Sequence, residues 1–477
     1  MKSARKPTLF EAMLPILAMF FILTVGYGVY RFKIESMLLV SAAVAAVVAW
    51  RVGLTWDEMI QGVADKIAKA MPAILILVVV GIIVATWMAS GTIPMLIFYG
   101  IQIVNPHYFF VSAFVICAII STCTGTSWGS VATIGVVLFV IAQGIGLSLP
   151  VSAAAIIGGS YFGDKMSPLS DTTNLAPLAA GADLYDHIRH MFYTTVPATV
   201  FALGIYTVMG FNVDVSQLTG VETIGVMLSN LSSMFKMNVP LLLLPVLIIL
   251  AGSIAKKPTI PVMMLSCAVA GAIAVFYQGF SFESVFKSLV SGFDVSMISA
   301  SGRAVENILP QILKLVNRGG MNSMMETILM ILCAFSFAGI IAKAGCLDVI
   351  LQKLLEYVKT RAALISSTAA ATILMALTTG SDFLTILIPG ELFADAYRQK
   401  GLAARNLSRT LEDCGTCVVA LVPWSAAGAY CAGTLGISTL EYLPYCFFSF
   451  GSVAMALICA FTGFGVMTLE QEKQKRQ

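Results

Sequence analysis

The chain has 477 residues, of which 11% are charged, with a formal net charge of +3 and a mean hydropathy of +0.91. A soluble domain carries roughly 25% charged residues, so a water-soluble globule is excluded and the chain reads as an all-α polytopic membrane protein. Its positive charges are scattered over short loops with no basic block, which gives no reason to expect nucleic acid as a partner; the lipid bilayer is the expected one.

Apolar runs long enough, or nearly so, to cross roughly 30 Å of hydrocarbon cover Leu9 to Tyr30, Ser36 to Val52 and Ala73 to Ser90. An amphipathic stretch, Thr55 to Met71, precedes the third. The first run is too long for a cleaved signal and is followed at once by the second, so the protein is expected to stay polytopic. Residues 107–145 then read as a re-entrant hairpin whose tip is Thr124-Gly125-Thr126-Ser127. Residues 150–180 read as a broken helix. Its first limb, Ala153 to Phe162, is rich in small residues (Gly158-Gly159-Ser160) that permit close helix packing; beyond it, Pro168 and Pro177 are expected to prevent a regular helix. Ile188 to Phe211 closes a first unit, residues 1–211, and residues 212–237 read as a linker with an interfacial segment.

The same order returns in residues 238–477. Spans at Pro240 to Ile254 and Ile260 to Gln278 lead to an amphipathic stretch (Phe282 to Phe293) and a span at Thr327 to Ala342. A second hairpin at about 363–397 carries the tip Thr379-Gly380-Ser381-Asp382, and a second broken helix at about 402–433 carries Glu412-Asp413-Cys414-Gly415-Thr416, which answers Gly163-Asp164-Lys165-Met166-Ser167. A last span, Leu443 to Phe464, precedes a cytoplasmic tail. The fold expected is therefore two repeats with about ten transmembrane helices and two re-entrant hairpins, with helices broken at the midplane. Five crossings per repeat is an odd number, so the repeats have inverted topology. Lys and Arg favour the cytoplasmic side, and this threading puts Lys66, Lys69, Arg189, Lys353, Lys359, Arg361, Arg398, Lys400, Arg405 and Arg409 there. Two loops disagree, one with Arg31 and Lys33 and one with Arg303, Lys314 and Arg318.

Charged side chains at membrane depth are costly and mark ion or substrate pathways. Interrupted segments at matching repeat positions point to the same place. The densest cluster is Asp164 to Asn174: Asp164 as the first titrating candidate and Asp171 as the second, with Ser167, Ser170, Thr172, Thr173 and Asn174 as oxygen donors. The hairpin tips, Thr124, Gly125, Thr126 and Ser127 with Thr379, Ser381 and Asp382, are expected to line the same site. Glu412, Asp413 and Thr416 are the second-repeat counterpart, where the two acids form either a second site or a structural pair with Arg409, and Lys165 is either a charge partner of these carboxylates or an ion-displacing cation. Carboxylate, hydroxyl and carbonyl oxygens suit a hard cation, with Na⁺ at the Asp164 region the natural candidate. Burial favours the neutral form of a carboxylate and a neighbouring cation the ionised form, so Na⁺ and H⁺ would compete for one group. The second repeat has apolar Val418 to Val422 where the first has Ser-Asp-Thr-Thr, so the first is expected to carry the main site.

Other chemistries find less support. Ten cysteines sit mostly in apolar runs, where they act as small hydrophobes, and the Cys414–Cys417 spacing has no second pair for zinc. Neither a Gly-x-Gly-Asp pattern nor a His-Glu-x-x-His motif occurs, so no catalytic residue is expected and the chain does not read as an enzyme. His107, His187 and His190 lie near predicted span ends, where a solvated imidazole is the default.

The run from Gly158 to Asn174, GGSYFGDKMSPLSDTTN, closely resembles the signature of NhaC-type Na⁺/H⁺ antiporters, and Thr124 to Gly129 resembles that family's first hairpin region. The resemblance implies membership of the ion-transporter superfamily with inverted repeats. It implies Na⁺ export driven by H⁺ entry, in the cytoplasmic membrane of a prokaryote, with no cofactor beyond the transported Na⁺ and H⁺. Some members of that family resemble malate/lactate exchangers coupled to Na⁺ and H⁺, so a small organic acid is the alternative substrate. Li⁺ is a further candidate ion and a homodimer a candidate assembly.

Overall fold

The computed structural model describes residues 5–476 apart from 31, 104, 215–220, 256, 302–312, 314–315 and 357; Arg31, Arg303 and Lys314 lie outside the described residues. Among these the chain is helical, with two isolated β-bridges and no longer strand. The first half comprises α1 (Leu9–Gly28), α2 (Ile34–Val52), α3 (Trp56–Ala89), α4 (Thr92–Ile103), α5 (Phe109–Thr124), α6 (Ser127–Ser130), α7 (Val136–Ile145), α8 (Leu149–Met166), α9 (Asp171–Ala180) and α10 (Leu184–Phe211). A connecting helix α11 (Val221–Met234) leads to α12 (Val239–Ile254), α13 (Thr259–Ala272), α14 (Phe282–Ser291), α15 (Ser296–Ala300), α16 (Met325–Lys343), α17 (Cys346–Glu356), α18 (Arg361–Thr379) and α19 (Asp382–Gln399). The chain ends through α20 (Ala404–Leu411), α21 (Cys417–Val419), α22 (Ala426–Leu435), α23 (Thr439–Tyr442), α24 (Phe447–Thr462) and α25 (Leu469–Arg476). Nine of the described helices are long and apolar enough to cross a membrane, or up to eleven when two bent pairs each count as one span. The chain is an integral, multi-pass membrane protein.

Helix ends follow local chemistry. Thr8 and Thr55 open α1 and α3 with reciprocal capping boxes to Glu11 and Glu58, and Gly53 and Gly146 close α2 and α7 in the left-handed conformation. Two expectations are corrected. The amphipathic stretch before the third span is continuous with it in the 34-residue α3, which accommodates Pro72. Pro177 breaks nothing: it lies inside α9, and the interruption is confined to residues 167–170, beside Pro168.

Packing in one half is mirrored in the other. α1 packs on α2 as α12 packs on α13; α2 packs against α16 as α13 packs against α3; α5 packs on α10 as α18 packs on α24. Each broken helix also reaches the other half's hairpin, α9 against α19 and α22 against α6 and α7. Trp128 stacks on Tyr430 at 4.4 Å, and the Tyr430 hydroxyl donates to the Trp128 carbonyl (2.8 Å).

The long helix α10 fixes the direction of the hairpins. Near its N-terminus Asp186 accepts from Arg405 (2.6 Å), just past the base of the α18–α19 hairpin. Near its C-terminus the Gly210 carbonyl meets His107 Nδ1 (3.1 Å), at the base of the α5–α7 hairpin. These contacts are 24 residues apart, roughly 36 Å along a helix, so the hairpins enter from opposite ends of the molecule.

Candidate functional site

The first hairpin tip is made by Gly125 (φ +71°), which ends α5, and Thr126, whose hydroxyl caps α6 by accepting from the Gly129 amide (3.2 Å). A Cβ at Gly125 would lie 2.6 Å from the Leu169 Cβ and 2.8 Å from its carbonyl carbon, so only glycine lets the tip rest on the break between α8 and α9. From that contact α9 continues ten residues, roughly 15 Å, past the level at which the hairpin turns. The second tip repeats the arrangement: Gly380 (φ +59°) ends α18, and its carbonyl accepts from the Ala426 amide (2.9 Å) at the start of α22.

Close backbone packing holds α8 in place. The Ser121 hydroxyl donates to the Ser160 carbonyl (2.6 Å), and a Cβ at Gly163 would stand 2.6 Å from both the Ser121 Cβ and the Thr122 nitrogen. Glycine at that position lets α8 lie against α5. The Ser167 hydroxyl donates to the Thr122 carbonyl (2.8 Å) and ties the break to the same helix.

Asp164 is 6% exposed, and its Oδ2 accepts from the Ser127 hydroxyl at the first tip (2.8 Å). Lys165, fully buried, donates to Asp413 Oδ1, which also accepts from Thr194 of α10 (3.0 Å). Glu412, fully buried, accepts from Thr416 and from the Thr173 hydroxyl (3.3 Å), and that hydroxyl also lies 3.0 Å from the Asp164 carbonyl and 3.1 Å from the Lys165 carbonyl. Glu412 to Thr416 form a π-turn, a distortion that frequently accompanies functional sites. Asp382 at the second tip has an Oδ1 with no hydrogen-bond partner among the described residues. The Lys165–Asp413 pair is internally neutral. Neither Asp164 nor Glu412 has a cation within hydrogen-bond distance among the described residues.

Several candidates stand elsewhere. Asp171 is exposed in the first turn of α9, and Asn174 is exposed with its amide donating to the Pro168 (2.9 Å) and Ser170 (2.7 Å) carbonyls, so it closes the break. Ser170, by contrast, stays beside the Asp164 carboxylate: it is buried, caps α9 and meets the Thr172 hydroxyl at 3.1 Å. Thr124 donates back to the Ser121 carbonyl (3.5 Å) and Thr379 to the Met375 carbonyl (2.7 Å), while Ser381 is the N-cap residue of α19 without a side-chain bond. Of the two readings of Glu412 and Asp413, the pairing with Arg409 is not formed among the described residues. Its guanidinium, fully buried, donates to the Gly465 carbonyl (2.8 Å), turned away along α20 from the acids of the next turn. Solvated histidines at α10 are also corrected: His187 and His190 are buried, on the Ser408 hydroxyl (2.8 Å) and the Asn406 side-chain Oδ1 (3.1 Å). Thr194 carries no motif; a polar Thr194-Thr195 pair inside an apolar span was its only signal.

Arranged in this way, two acids, a neutralised acid–base pair and several hydroxyls meet where the first hairpin tip, the α8–α9 break and the Glu412–Thr416 turn come together. No group of three or more His, Cys, Asp or Glu side chains that could hold a metal ion occurs among the described residues. Residues 159–464 match the family described as "Na+/H+ antiporter family". The chain is 44% identical, over 98% of both chains, to an "Uncharacterized Na(+)/H(+) antiporter" of Haemophilus influenzae. It is 37% identical to "Na(+)/H(+) antiporter NhaC" of Alkalihalophilus pseudofirmus (99% of both chains), and 33% identical to "Malate-2H(+)/Na(+)-lactate antiporter" of Bacillus subtilis (97% of this chain, 96% of that one).

Proposed function

The chain belongs to the Na⁺/H⁺ antiporter family, and from that premise we propose that it exchanges intracellular Na⁺ for external H⁺ at the Asp164 carboxylate by alternating access. The observation that carries this reading is the Asp164–Ser127 bond, which joins the broken helix to the tip of the first hairpin. A buried carboxylate holds either H⁺ or Na⁺ and is costly when empty. The loaded site therefore changes sides more readily than the empty one, and the two ions must be traded. Ser127 and the carbonyls at the C-terminal end of α8 supply further oxygens for Na⁺, and that end of the helix favours a cation. Glu412, joined to the α8 carbonyls through Thr173, brings the second repeat into the site.

Orientation follows from charge. Arg361, Arg398, Lys400 and Arg405 gather at the end of the molecule holding the α10 N-terminus, which we assign to the cytoplasm. Lys33, one of the disagreeing cations, pairs with Glu326. Inverted repeats predict that Cys placed at exposed Ser148 and at exposed Lys400, in a Cys123→Ser background, react with impermeant maleimide from opposite sides of the membrane. Labelling from one side would overturn the topology.

The deciding experiment uses purified protein in proteoliposomes loaded with a pH dye. Na⁺ addition alone should move protons. A second reading, exchange of a small organic acid coupled to Na⁺ and H⁺, is favoured by the likeness to the 33% identical malate–lactate antiporter; proton movement that needs both Na⁺ and an organic acid would select it. A response to neither condition sinks both readings. The tip geometry gives a further expectation. Gly125→Ala forces a Cβ onto Leu169 at a left-handed position, a strain of about 1–3 kcal/mol, and should slow exchange by roughly tenfold or more while the protein still elutes as a folded species. Wild-type rates would show that the tip is not part of the working site.

A further inference from the structure

At the end of the molecule assigned to the cytoplasm, a cavity of about 370 Å³ is lined by His190, Tyr193, Gly465, Met467, Gln471 and Gln474, among others. Most of that lining comes from the strap that follows α24, residues 463–474. Gly463 and Gly465, both in the left-handed region (φ +79° and +60°), turn the chain out of α24. The strap then lies across α10 and α20. The Phe464 ring meets Tyr193 of α10 edge-on at 5.6 Å. On α20, the Asn406 side chain takes both backbone groups of Met467, donating to its carbonyl (2.7 Å) and accepting from its amide (3.0 Å). The Ala403 amide donates to the Met467 carbonyl (3.0 Å) and the Leu469 amide to the Gly401 carbonyl (2.9 Å), on either side of the isolated Leu402–Thr468 bridge. Arg405 joins Glu472 of the strap (2.7 Å) to Asp186 of α10 (2.6 Å).

What lies beneath the strap leads to the site. Asn406, whose Oδ1 also meets His190 Nε2 (3.1 Å), is seven residues before Asp413 in one helical run, roughly 10 Å along its axis. His190 is one turn before Thr194, which donates to Asp413. Within this short distance His187 Nε2 and Arg409 Nε and Nη2 are buried with no hydrogen-bond partner among the described residues. Buried polar atoms are normally satisfied, by water where protein does not do so, so these atoms mark a polar route between the cavity and the Thr194–Asp413–Lys165 cluster. The strap over that route is lightly held. None of residues 463–472 is buried, and hydrogen bonds and ion pairs near the surface are individually modest, so its fastenings can be exchanged for water without opening the core.

We propose that the strap is a cytoplasmic lid over the inner end of the ion route, and that it lifts from α20 each time the site opens to the cytoplasm. Release of Met467 from Asn406 and of Glu472 from Arg405 frees the outer end of α20, two turns from Asp413, and uncovers the polar route. Lids of this kind set the rate of many catalytic cycles. The proposal rests on the transporter reading for what passes beneath the lid; lifting itself is measured without transport.

The competing role for the strap is a fixed clasp that holds α20 on α10, and cross-linking separates the two. Leu402 and Thr468 occupy the non-hydrogen-bonded position of their bridge, where Cα atoms stand about 4.5 Å apart, within disulfide reach. Full-length protein carrying Leu402→Cys with Thr468→Cys in a Cys123→Ser background is reconstituted in proteoliposomes, oxidised and then reduced. Oxidation should abolish Na⁺-driven proton movement and reduction should restore it, whereas locking a clasp that never lifts leaves exchange unchanged. Adding Ser408→Cys reports lifting directly, since Ser408 is fully buried beside His187. A small impermeant thiol reagent on the cytoplasmic side should modify position 408, identified by peptide mass, in the reduced protein and not in the oxidised one. Glu472→Gln, with the strap unlocked, should speed that modification. The proposal is overturned by equal exchange in the oxidised and reduced protein, or by modification of position 408 that is the same, or absent, with the strap locked and free. If neither Na⁺ alone nor Na⁺ with an organic acid moves protons in the reduced protein, the transporter reading fails while the labelling still decides the lid.

Discussion

Asp164→Asn is expected to reduce Na⁺-driven proton movement to the level of protein-free vesicles while leaving the protein in the membrane and folded. The amide is nearly the same size, and its oxygen still accepts from Ser127, so the packing of α8 against the first tip persists. The group can no longer take up or release a proton, and it offers Na⁺ a dipole in place of a charge. Folding should not suffer, since removing an unpaired buried charge relieves desolvation. Asp164→Glu separates chemistry from position. It keeps the titrating group but pushes it one methylene further into a site already in contact with Ser127, so exchange should survive with a raised Na⁺ requirement. Full exchange by Asp164→Asn, measured with the same dye and the same lipid, would refute the assignment.

The second large effect concerns stability. Lys165→Ala leaves Asp413 buried beside Thr194 without its cation. Breaking one side of a buried pair costs about 3–5 kcal/mol, so the variant should melt well below the wild type in detergent. Removing both charges in Lys165→Met with Asp413→Leu should recover most of the loss, because a buried pair is often replaceable by apolar side chains of similar volume. Since the pair is internally neutral, exchange at Asp164 should persist in the double variant. A double variant that is stable but inactive would instead place the ammonium in the ion path, and a Lys165→Ala protein as stable as the wild type would show that the pair contributes little.

Local signals made much of this architecture readable. Low charge and long apolar runs marked a membrane protein, and Thr-Gly-Thr-Ser and Thr-Gly-Ser-Asp marked two turns at matching positions. Pro168 marked the break because its residue has no amide to continue α8. Pro177 misled, since α9 tolerates it within ten residues whose other bonds and packing suffice. What escaped were the partners. Lys165 and Asp413 are 248 positions apart, and His187 and Ser408 are 221 apart; hydropathy along the chain carries no information on which half faces which. For the same reason Lys66, placed at the cytoplasmic surface by the charge rule, is buried in α3 over the Phe335 ring at 5.7 Å, and Arg409 looked like a partner for its neighbours in sequence when its bond goes to Gly465.

The opposed entry of the two hairpins has an electrical consequence. Were water to follow each hairpin to its tip, the membrane voltage would fall across the layer between the tips rather than across the whole hydrocarbon thickness. On the proposed reading, an ion bound at Asp164 would then cross most of the field in a short step. Each elementary charge so moved exchanges about 2.3 kcal/mol per 100 mV with the membrane potential, which lets small displacements at the tips couple the chemistry of one carboxylate to the voltage of the cell.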